Sequence, residues 1–331
     1  MNNLKKIILL SLSILTLSFG AGTTAAQWLE LETGIRGVGM GGAQTAAGRD
    51  ISSSFYNPVN ISYIEGQEAF FNKTNYIVDI SHSFLGYAKQ LSDLDAAGIN
   101  IFFLDSGWIP ETTDEANTGN DLGSLGDFKV YNFLVQGSYS RIITERLRVG
   151  AGFKYFREDI DNMYMQGMAL DVGCHYDLGL GIKLGLSINN IGPEVRFEGD
   201  GLEQYVDDSV SPSGILVATT KSFSIPRLVR VGVESKLMGS ERTAFIRNQL
   251  LGLSIAMDIV KPLEDDLYGS FGTELTITDM FYVRAGSHFS HDTAGLGFGL
   301  GLEYRNLKID YSLSQYGDLG ATGQFGIGLS F

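Results

Sequence analysis

Apolar and polar residues alternate in short runs along most of the chain. In RLRVGAGFKYF, residues 146–156, an apolar residue occupies every second position from Leu147 to Tyr155, with basic residues and glycines between. Successive side chains of a β-strand point to opposite faces, so this pattern predicts a strand with one apolar and one polar face. The alternation recurs in fourteen segments: 67–79, 82–91, 95–105, 127–140, 145–157, 163–177, 179–190, 227–238, 247–260, 267–277, 280–290, 293–305, 306–316 and 321–331.

The number and length of these runs favour a closed transmembrane barrel. Bacterial single-chain barrels have an even number of strands, and roughly 9–11 residues cross a bilayer obliquely. The polar faces are rich in glycine and serine, which suits a narrow, filled lumen, whereas the alternative, a soluble β-sandwich, has a charged outer face. We therefore predict an all-β fold, a single transmembrane β-barrel of about 14 antiparallel strands over residues 67–331. Aromatic residues near strand ends are typical of an interfacial girdle: Tyr131, Tyr155, Phe156, Tyr176, Phe281, Tyr282 and Tyr304.

The connections between runs differ in length, which predicts the orientation of the barrel. The two longest gaps, 106–126 and 191–226, both follow odd-numbered strands. Outer-membrane barrels combine short periplasmic turns with longer outer loops, so odd-numbered gaps are predicted to face outward. Two connections depart from this rule: the one near Ile80 is short for an outer loop, and 239–246 is long for a periplasmic turn.

The last run carries an apolar stripe that ends on an aromatic residue. A terminal aromatic residue on an alternating strand resembles the signal that the outer-membrane barrel assembly machinery reads. Pairing of this strand with the first one removes an exposed apolar edge. We expect the barrel-assembly signal to consist of Phe325, Ile327, Leu329 and Phe331.

Residues 1–26 have the organisation of a secretory signal peptide. Lys5 and Lys6 precede the short apolar stretch 7–19, and small residues lead to a cleavage point before Gln27. The alternative, a transmembrane helix, needs about 20 predominantly apolar residues. We expect an exported protein that is cleaved before Gln27 and lies in the outer membrane of a Gram-negative bacterium, in contact with its lipid.

Residues 27–66 do not alternate, and they hold the most specific motif of the chain. A glycine-rich stretch, 34–43, is followed by Tyr56-Asn57-Pro58. Its letters fit the G-x-G-x-x-G dinucleotide fingerprint, but the strand and helix of a βαβ unit are missing, which argues against nucleotide binding. Glycine permits positive φ and close backbone approach, and Asp50 or 52–54 is predicted to cap a short helical turn ending before Pro58. We favour a compact plug in the lumen, called the hatch below; the alternative is an irregular lead-in strand without function.

The stretch GIRGVGMGGAQTAAGRDISSSFYNPVNIS, residues 34–62, resembles the N-terminal signature of the PorV/PorQ family. Its members are outer-membrane barrels related to the FadL-type transporters of long-chain fatty acids and other hydrophobic molecules. Val59 and Asn60 depart from the usual Ala and Gly of the motif. In FadL-type relatives this segment folds into the lumen and gates passage. The resemblance therefore implies a hatch and gate formed by Gly37, Gly39, Gly41, Gly42, Tyr56, Asn57 and Pro58.

The resemblance leaves two functions open. The first is passive uptake of hydrophobic small molecules through a barrel that the hatch gates. The alternative is a role in type IX secretion, in which PorV-like relatives shuttle secreted proteins to the cell surface. The partner is accordingly a hydrophobic small molecule or a secreted protein.

Composition argues against several other classes of protein. The net charge is −14 without a Lys/Arg cluster, so nucleic acid is not an expected partner. A single cysteine, Cys174, rules out an internal disulfide, and the four histidines are scattered, which argues against a zinc cluster. Cys174 shares a face with Leu170 and Val172, as expected for an inert apolar thiol. No metal and no cofactor is expected.

Serines and histidines raise the alternative of a lipid-cleaving enzyme. In Ser81-His82-Ser83 the neighbouring side chains point to opposite faces of a strand, so they cannot form a nucleophile–base pair. His288 and His291 belong to no evident Ser/His/acid set, and we predict no catalytic residue and no enzyme. The acidic segments 158–161 and 264–266 fall at predicted outer connections, where a solvated loop is usual and a divalent ion is the alternative.

Overall fold

Fourteen antiparallel strands form the wall of the molecule. The computed structural model describes residues 24–76, 79–111, 126–205, 215–217, 219–240, 243–291, 295–317 and 320–331. The wall strands are β1 (Gln67–Asn75), β2 (Ser81–Gln90), β3 (Asp95–Asp105), β4 (Val130–Ile142), β5 (Leu147–Ile160), β6 (Met163–Gly179), β7 (Ile182–Ile191), β8 (Leu228–Gly239), β9 (Leu251–Pro262), β10 (Tyr268–Ile277), β11 (Phe281–Phe289), β12 (Leu296–Tyr304), β13 (Leu307–Gln315) and β14 (Ala321–Ser330). Every predicted strand is present.

The sheet closes on itself. Each strand pairs with its neighbours in sequence, including β7 with β8 across the long connection between them. The first and last strands also pair, with Phe70 opposite Gly328 and Asn72 opposite Gly326. The predicted barrel and its closure are therefore confirmed.

The two faces of the wall have opposite character. Outward side chains are apolar and exposed, as at Leu85 (50%) and Leu300 (59%), whereas inward positions hold buried polar groups such as Asn100 and Asp310. A soluble sandwich has the reverse distribution, so that alternative is wrong. The apolar stripe of the last strand lies on the outward face, and its role in assembly remains a prediction. The stripe consists of Phe325, Ile327, Leu329 and Phe331.

Two residues assigned to the aromatic girdle lie inside the barrel instead. Phe156 is fully buried in an interior apolar cluster. Tyr282 faces the lumen, where its hydroxyl donates to Glu303 at 3.1 Å. Each is adjacent in its strand to another predicted girdle residue, Tyr155 or Phe281. Adjacent residues of a strand face opposite sides, so only one of each pair can face outward.

The long connections lie at one end of the barrel and most short turns at the other. The longest, 106–129 and 192–227, are at the end that we call the loop end; residues 112–125, 206–214 and 218 within them lie outside the described residues. The connection 240–250 is long for the opposite end, and its Ile246–Arg247 runs parallel to the end of β8. Five further short strand segments accompany the long connections: Ile109–Pro110 with Asp127–Phe128, Phe197–Glu198 on β6, and Glu203–Tyr205 with Ile215–Val217.

The hatch folds into short helical turns inside the barrel. It contains 3-10 turns at Gln27–Glu30, Ile51–Phe55 and Pro58–Tyr63, and one α-helical turn, α1, at Ile35–Gly39. Asp50 caps the second 3-10 turn by accepting from the Ser53 amide at 2.9 Å, as predicted, and Pro58 opens the next turn. No helix in the described part of the chain is long and apolar enough to cross a membrane.

The segment before the hatch also contacts the barrel interior. The Ala25 amide donates to the Ser224 carbonyl at 3.0 Å, and Ala26 is buried in an apolar cluster. Cleavage before Gln27 would remove these contacts. The rest of the predicted signal peptide, residues 1–23, lies outside the described residues.

Candidate functional site in the barrel lumen

The glycine tract of the hatch lies directly against glycines of the barrel wall. A Cβ atom on Gly39 would lie 3.0 Å from the Cα of Gly299 in β12, and Gly286 of β11 leaves no space for a Cβ beside the Met40 backbone. Gly41 and Gly42 adopt φ values of +58° and +78°, which side chains disfavour. The glycines of the hatch and the glycines of β11 and β12 therefore form one interface, in which the two backbones approach without side chains between them.

Tyr56-Asn57-Pro58 joins the hatch to the opposite side of the lumen. The Asn57 side chain is fully buried; it donates to the carbonyls of Thr45 at 3.0 Å and of Leu186 in β7 at 3.2 Å. Its oxygen accepts from the Val59 amide at 3.3 Å, which fixes the turn that Pro58 opens. The structure thus places all seven predicted hatch residues in the lumen, and Gly37 of the first group lies against the Tyr56 side chain, where a Cβ would meet the hydroxyl oxygen at 2.5 Å.

A chain of buried charges attaches the hatch to β10, β11 and β13. Arg36 of α1 donates to both oxygens of Glu274 at 2.9 Å. Arg284 donates to Glu274 at 2.7 Å and to Asp310 at 2.6 Å. Asp310 faces Lys308, which also approaches the capping residue of the hatch, Asp50, at 3.8 Å. Signs alternate along this network, which runs Arg36–Glu274–Arg284–Asp310–Lys308–Asp50.

A second ionic contact lies across the lumen on β7 and β8. Glu234 accepts from Arg49 of the hatch in a short ion pair and from Lys183 at 3.0 Å. On β9, Asp258 accepts from the backbone amides of Gln44 and Thr45 at 2.9 and 2.8 Å. Wall carboxylates therefore hold the hatch from several directions.

These charged residues are not among the residues that the sequence predicts for the hatch. Acidic and basic residues at inward positions of the strands were the available signal, because lumen charges need partners. The alternation shows the face on which such a residue lies, but it does not show which part of the hatch reaches it.

The hatch contacts β11 at a further point near the loop end. Glu32 Oε1 lies 3.6 Å from His288 Nε2, and His288 Nδ1 is 3.1 Å from Ser270 Oγ. Burial raises the pKa of Glu32, but His288 and nearby Arg230 and His291 outweigh it, so this pKa lies below its ordinary value. Ser270 is buried beside Gly42, where a substrate has no access to its hydroxyl while the hatch is in place.

The other serine and histidine candidates do not come together. His82 is buried on the inward face, and its neighbours Ser81 and Ser83 lie on the outward face. In the described residues, no group of three or more His, Cys, Asp or Glu side chains is placed to hold a metal ion. In the acidic segment 158–161, Glu158 instead accepts from the Trp28 indole.

The lumen differs in character between its two ends. Near the loop end, Trp28 and Leu29 pack into an apolar cluster with Phe102, Leu134 and Phe156. At the opposite end lies a polar cavity of about 300 Å³. Charges of both signs line this cavity, among them Arg36, Arg49, Glu68, Lys236, Glu274 and Glu303.

Comparison with known proteins identifies the fold. No protein-family model and no curated protein matches the chain. The Pseudomonas putida toluene transporter TodX superposes with a TM-score of 0.58 at 12% identity, over 91% of this chain and 98% of TodX. The CymD monoaromatic hydrocarbon channel gives 0.59 at 13% identity, over 90% and 97%. A Pseudomonas aeruginosa FadL homologue gives 0.54 at 14%, over 94% and 99%.

These structural neighbours are thus a toluene transporter, a monoaromatic hydrocarbon channel and a FadL homologue. The chain has their barrel fold over nearly its whole length. The finer resemblance to the PorV/PorQ family remains a prediction.

Proposed function

We propose that this protein is an outer-membrane channel for passive uptake of hydrophobic small molecules, gated by the hatch. The outward apolar wall suits a lipid environment, and the apolar cluster at the loop end offers a surface on which a hydrophobic molecule can partition. The fold shared with transporters of toluene and monoaromatic hydrocarbons supports this proposal.

One observation carries the gating proposal. The hatch contacts the inner wall on several sides, through Arg36 on Glu274, Arg49 on Glu234 and Asn57 on the Leu186 carbonyl. Barrels of about eight strands are filled by wall side chains, and barrels of about sixteen strands enclose an aqueous channel. A barrel of fourteen strands lies between them, so its wall side chains fill its interior only in part. The hatch occupies that interior, so passage requires it to move. No observation on the described residues favours the secretion role.

The test combines conductance with uptake. The intact protein in planar bilayers should show little ion conductance, and deletion of residues 27–66 should raise it. Cells of a Gram-negative strain without such a channel should take up labelled toluene faster when they express the intact protein. Equal conductance of the intact and deleted forms would refute the gate, and unchanged toluene uptake would refute the channel for this class of compound.

A further inference from the structure

Trp28 fills an apolar chamber at the loop end of the lumen. Its indole stacks on Phe102 with ring centroids 5.9 Å apart and planes 9° apart, and it meets the edge of Phe156 at 6.2 Å. The remaining walls come from β3, β4, β6 and the 192–227 connection. They are largely apolar, and the His82 imidazole also packs on Phe102 with ring centroids 5.3 Å apart. The apolar side chains are Leu104, Leu134, Met165, Val195 and Ile225.

One polar group is placed at the edge of this chamber. Trp28 Nε1 donates to the Glu158 carboxylate at 2.7 Å, and both side chains are partly buried. Removing a carboxylate from water is costly unless a donor pairs with it. Largely apolar walls with a few placed polar groups are the composition of small-molecule sites. The chamber therefore selects a flat ring that carries an N–H or O–H group.

The segment that supplies Trp28 is weakly fixed. It lies in the single 3-10 turn Gln27–Glu30, which has no side-chain cap hydrogen bond. The predicted cleavage before Gln27 makes Trp28 the second residue of the exported chain, and the first residues of a chain are ordered only where contacts tie them down. The charged contacts of Arg36 and Arg49 lie farther along the hatch, so Trp28 can withdraw without breaking them.

We propose that this chamber is a ligand site for a planar aromatic molecule bearing an N–H or O–H donor, and that Trp28 occupies it until the ligand displaces it. The inference rests on the proposed uptake function and narrows its substrate class. A pure hydrocarbon ring reproduces the stacking on Phe102, but it leaves Glu158 without a donor.

The first test empties the chamber. Trp28→Ala protein in detergent should bind indole at least about tenfold more tightly than indene, a planar ring system without a donor. Glu158→Leu added to Trp28→Ala should abolish this preference. The parent protein should bind indole more weakly than Trp28→Ala, because the resident side chain competes. Trp108→Ala, which removes the other, exposed tryptophan, should leave binding unchanged.

The second test keeps Trp28 in place and does not depend on the folding of that variant. In Trp108→Phe protein the only tryptophan is Trp28. Its emission, excited where the ligands do not absorb, should shift to the red with phenol and not with toluene. Unshifted emission at saturating phenol, or equal affinities of Trp28→Ala for indole and indene, would overturn the proposal. If either of these results is obtained while toluene uptake persists, the ligand site is refuted and the uptake function is retained. The two proposals can therefore fail separately.

Discussion

Arg36 of the hatch and Glu274 of β10 form a bidentate ion pair inside the barrel, with both nitrogen–oxygen distances at 2.9 Å. Their side chains expose only 6% and 9% of their surface. Removing one partner of a buried pair leaves the other charge without compensation, which costs about 3–5 kcal/mol. Because Arg284 still pairs with Glu274, we expect Arg36→Met to fall at the lower end of that range.

Arg36→Met should loosen the hatch and leave the barrel assembled. Hydrogen exchange of residues 33–48 should accelerate while the protein retains its heat-modifiable mobility on gels. Arg141→Met, which removes an arginine with half of its side chain exposed, is the matched control and should change neither. Unaltered exchange in Arg36→Met would contradict a role for this pair in holding the hatch.

Asn57→Ala should loosen the opposite side of the hatch. The substitution removes two donated hydrogen bonds, to Thr45 and Leu186, and the bond that fixes the turn at Pro58. Flickering conductance in planar bilayers, with unchanged heat-modifiability, is the expected result. Asn75→Ala, at an exposed position of β1, should behave as the parent protein. Conductance without flickering in Asn57→Ala would show that this turn has no role in gating.

Gly286→Ala should disturb the hatch through crowding alone. The added methyl group would meet the Met40 backbone, which cannot rotate away as a side chain can. Overpacking of this kind typically costs about 1–3 kcal/mol. Gly137→Ala is the control, because a Cβ there has no neighbour within 4 Å. Urea unfolding of both variants in detergent measures the difference in stability. Equal midpoints would show that the hatch adjusts to the added methyl group without loss of stability.

The Glu32–His288 contact should make the start of the hatch sensitive to pH. The lowered pKa of Glu32 means that its share of the stability is present above its ordinary value of 4.5 and is lost as pH falls through the lower folded value. Exchange of residues 29–33, corrected for its intrinsic rate, should therefore accelerate only as pH falls below about 4.5.

His288→Gln tests whether His288 lowers this pKa. It keeps a polar side chain beside Ser270 without the imidazole, so the faster exchange should begin at a higher pH than in the parent protein. Arg230 and His291 remain around Glu32 in this variant. An onset at the same pH as in the parent protein would assign the lowered pKa of Glu32 to one of them.

Replacement of Phe331 tests the assembly signal. Charge on the lipid face near an interface costs only about 0–1 kcal/mol, so Phe331→Asp should not unfold a formed barrel. If the assembly machinery reads this residue, the amount of heat-modifiable protein in the outer membrane should nevertheless fall strongly. Tyr304→Asp is the control, since Tyr304 is similarly exposed (53% against 59%) at the same end. Equal yields of the two variants would leave Phe331 without a recognition role.

Alternation along the chain was sufficient to predict all fourteen strands, because each wall residue faces either the exterior or the lumen. The largest boundary differences are at the end of β1, which is Asn75 instead of 79, and at the start of β9, which is Leu251 instead of 247. The same alternation puts Phe156 and Tyr282 on the face opposite to their neighbours Tyr155 and Phe281, so these four residues cannot all belong to an interfacial girdle.

The hatch was less predictable because long-range contacts determine its shape. The cap at Asp50 is local, and the sequence offers it as one of two predicted caps, the other being 52–54. The wall partners of Arg36 and Asn57 lie more than a hundred residues away in sequence, on β10 and β7. Glycines predicted a close approach of backbones, but no local pattern shows that Gly39 meets Gly299.

The junction between hatch and barrel lies at the seam of the wall. Gly66, with a φ of +67°, ends the hatch beside the Phe331 carbonyl, and the Gln67 amide donates to that same oxygen at 2.8 Å. The seam between β1 and β14 thus closes at the point where the hatch enters the lumen. Any displacement of the hatch must therefore pivot about this seam, and a substitution at the seam alters both the closure of the barrel and the anchor of the hatch.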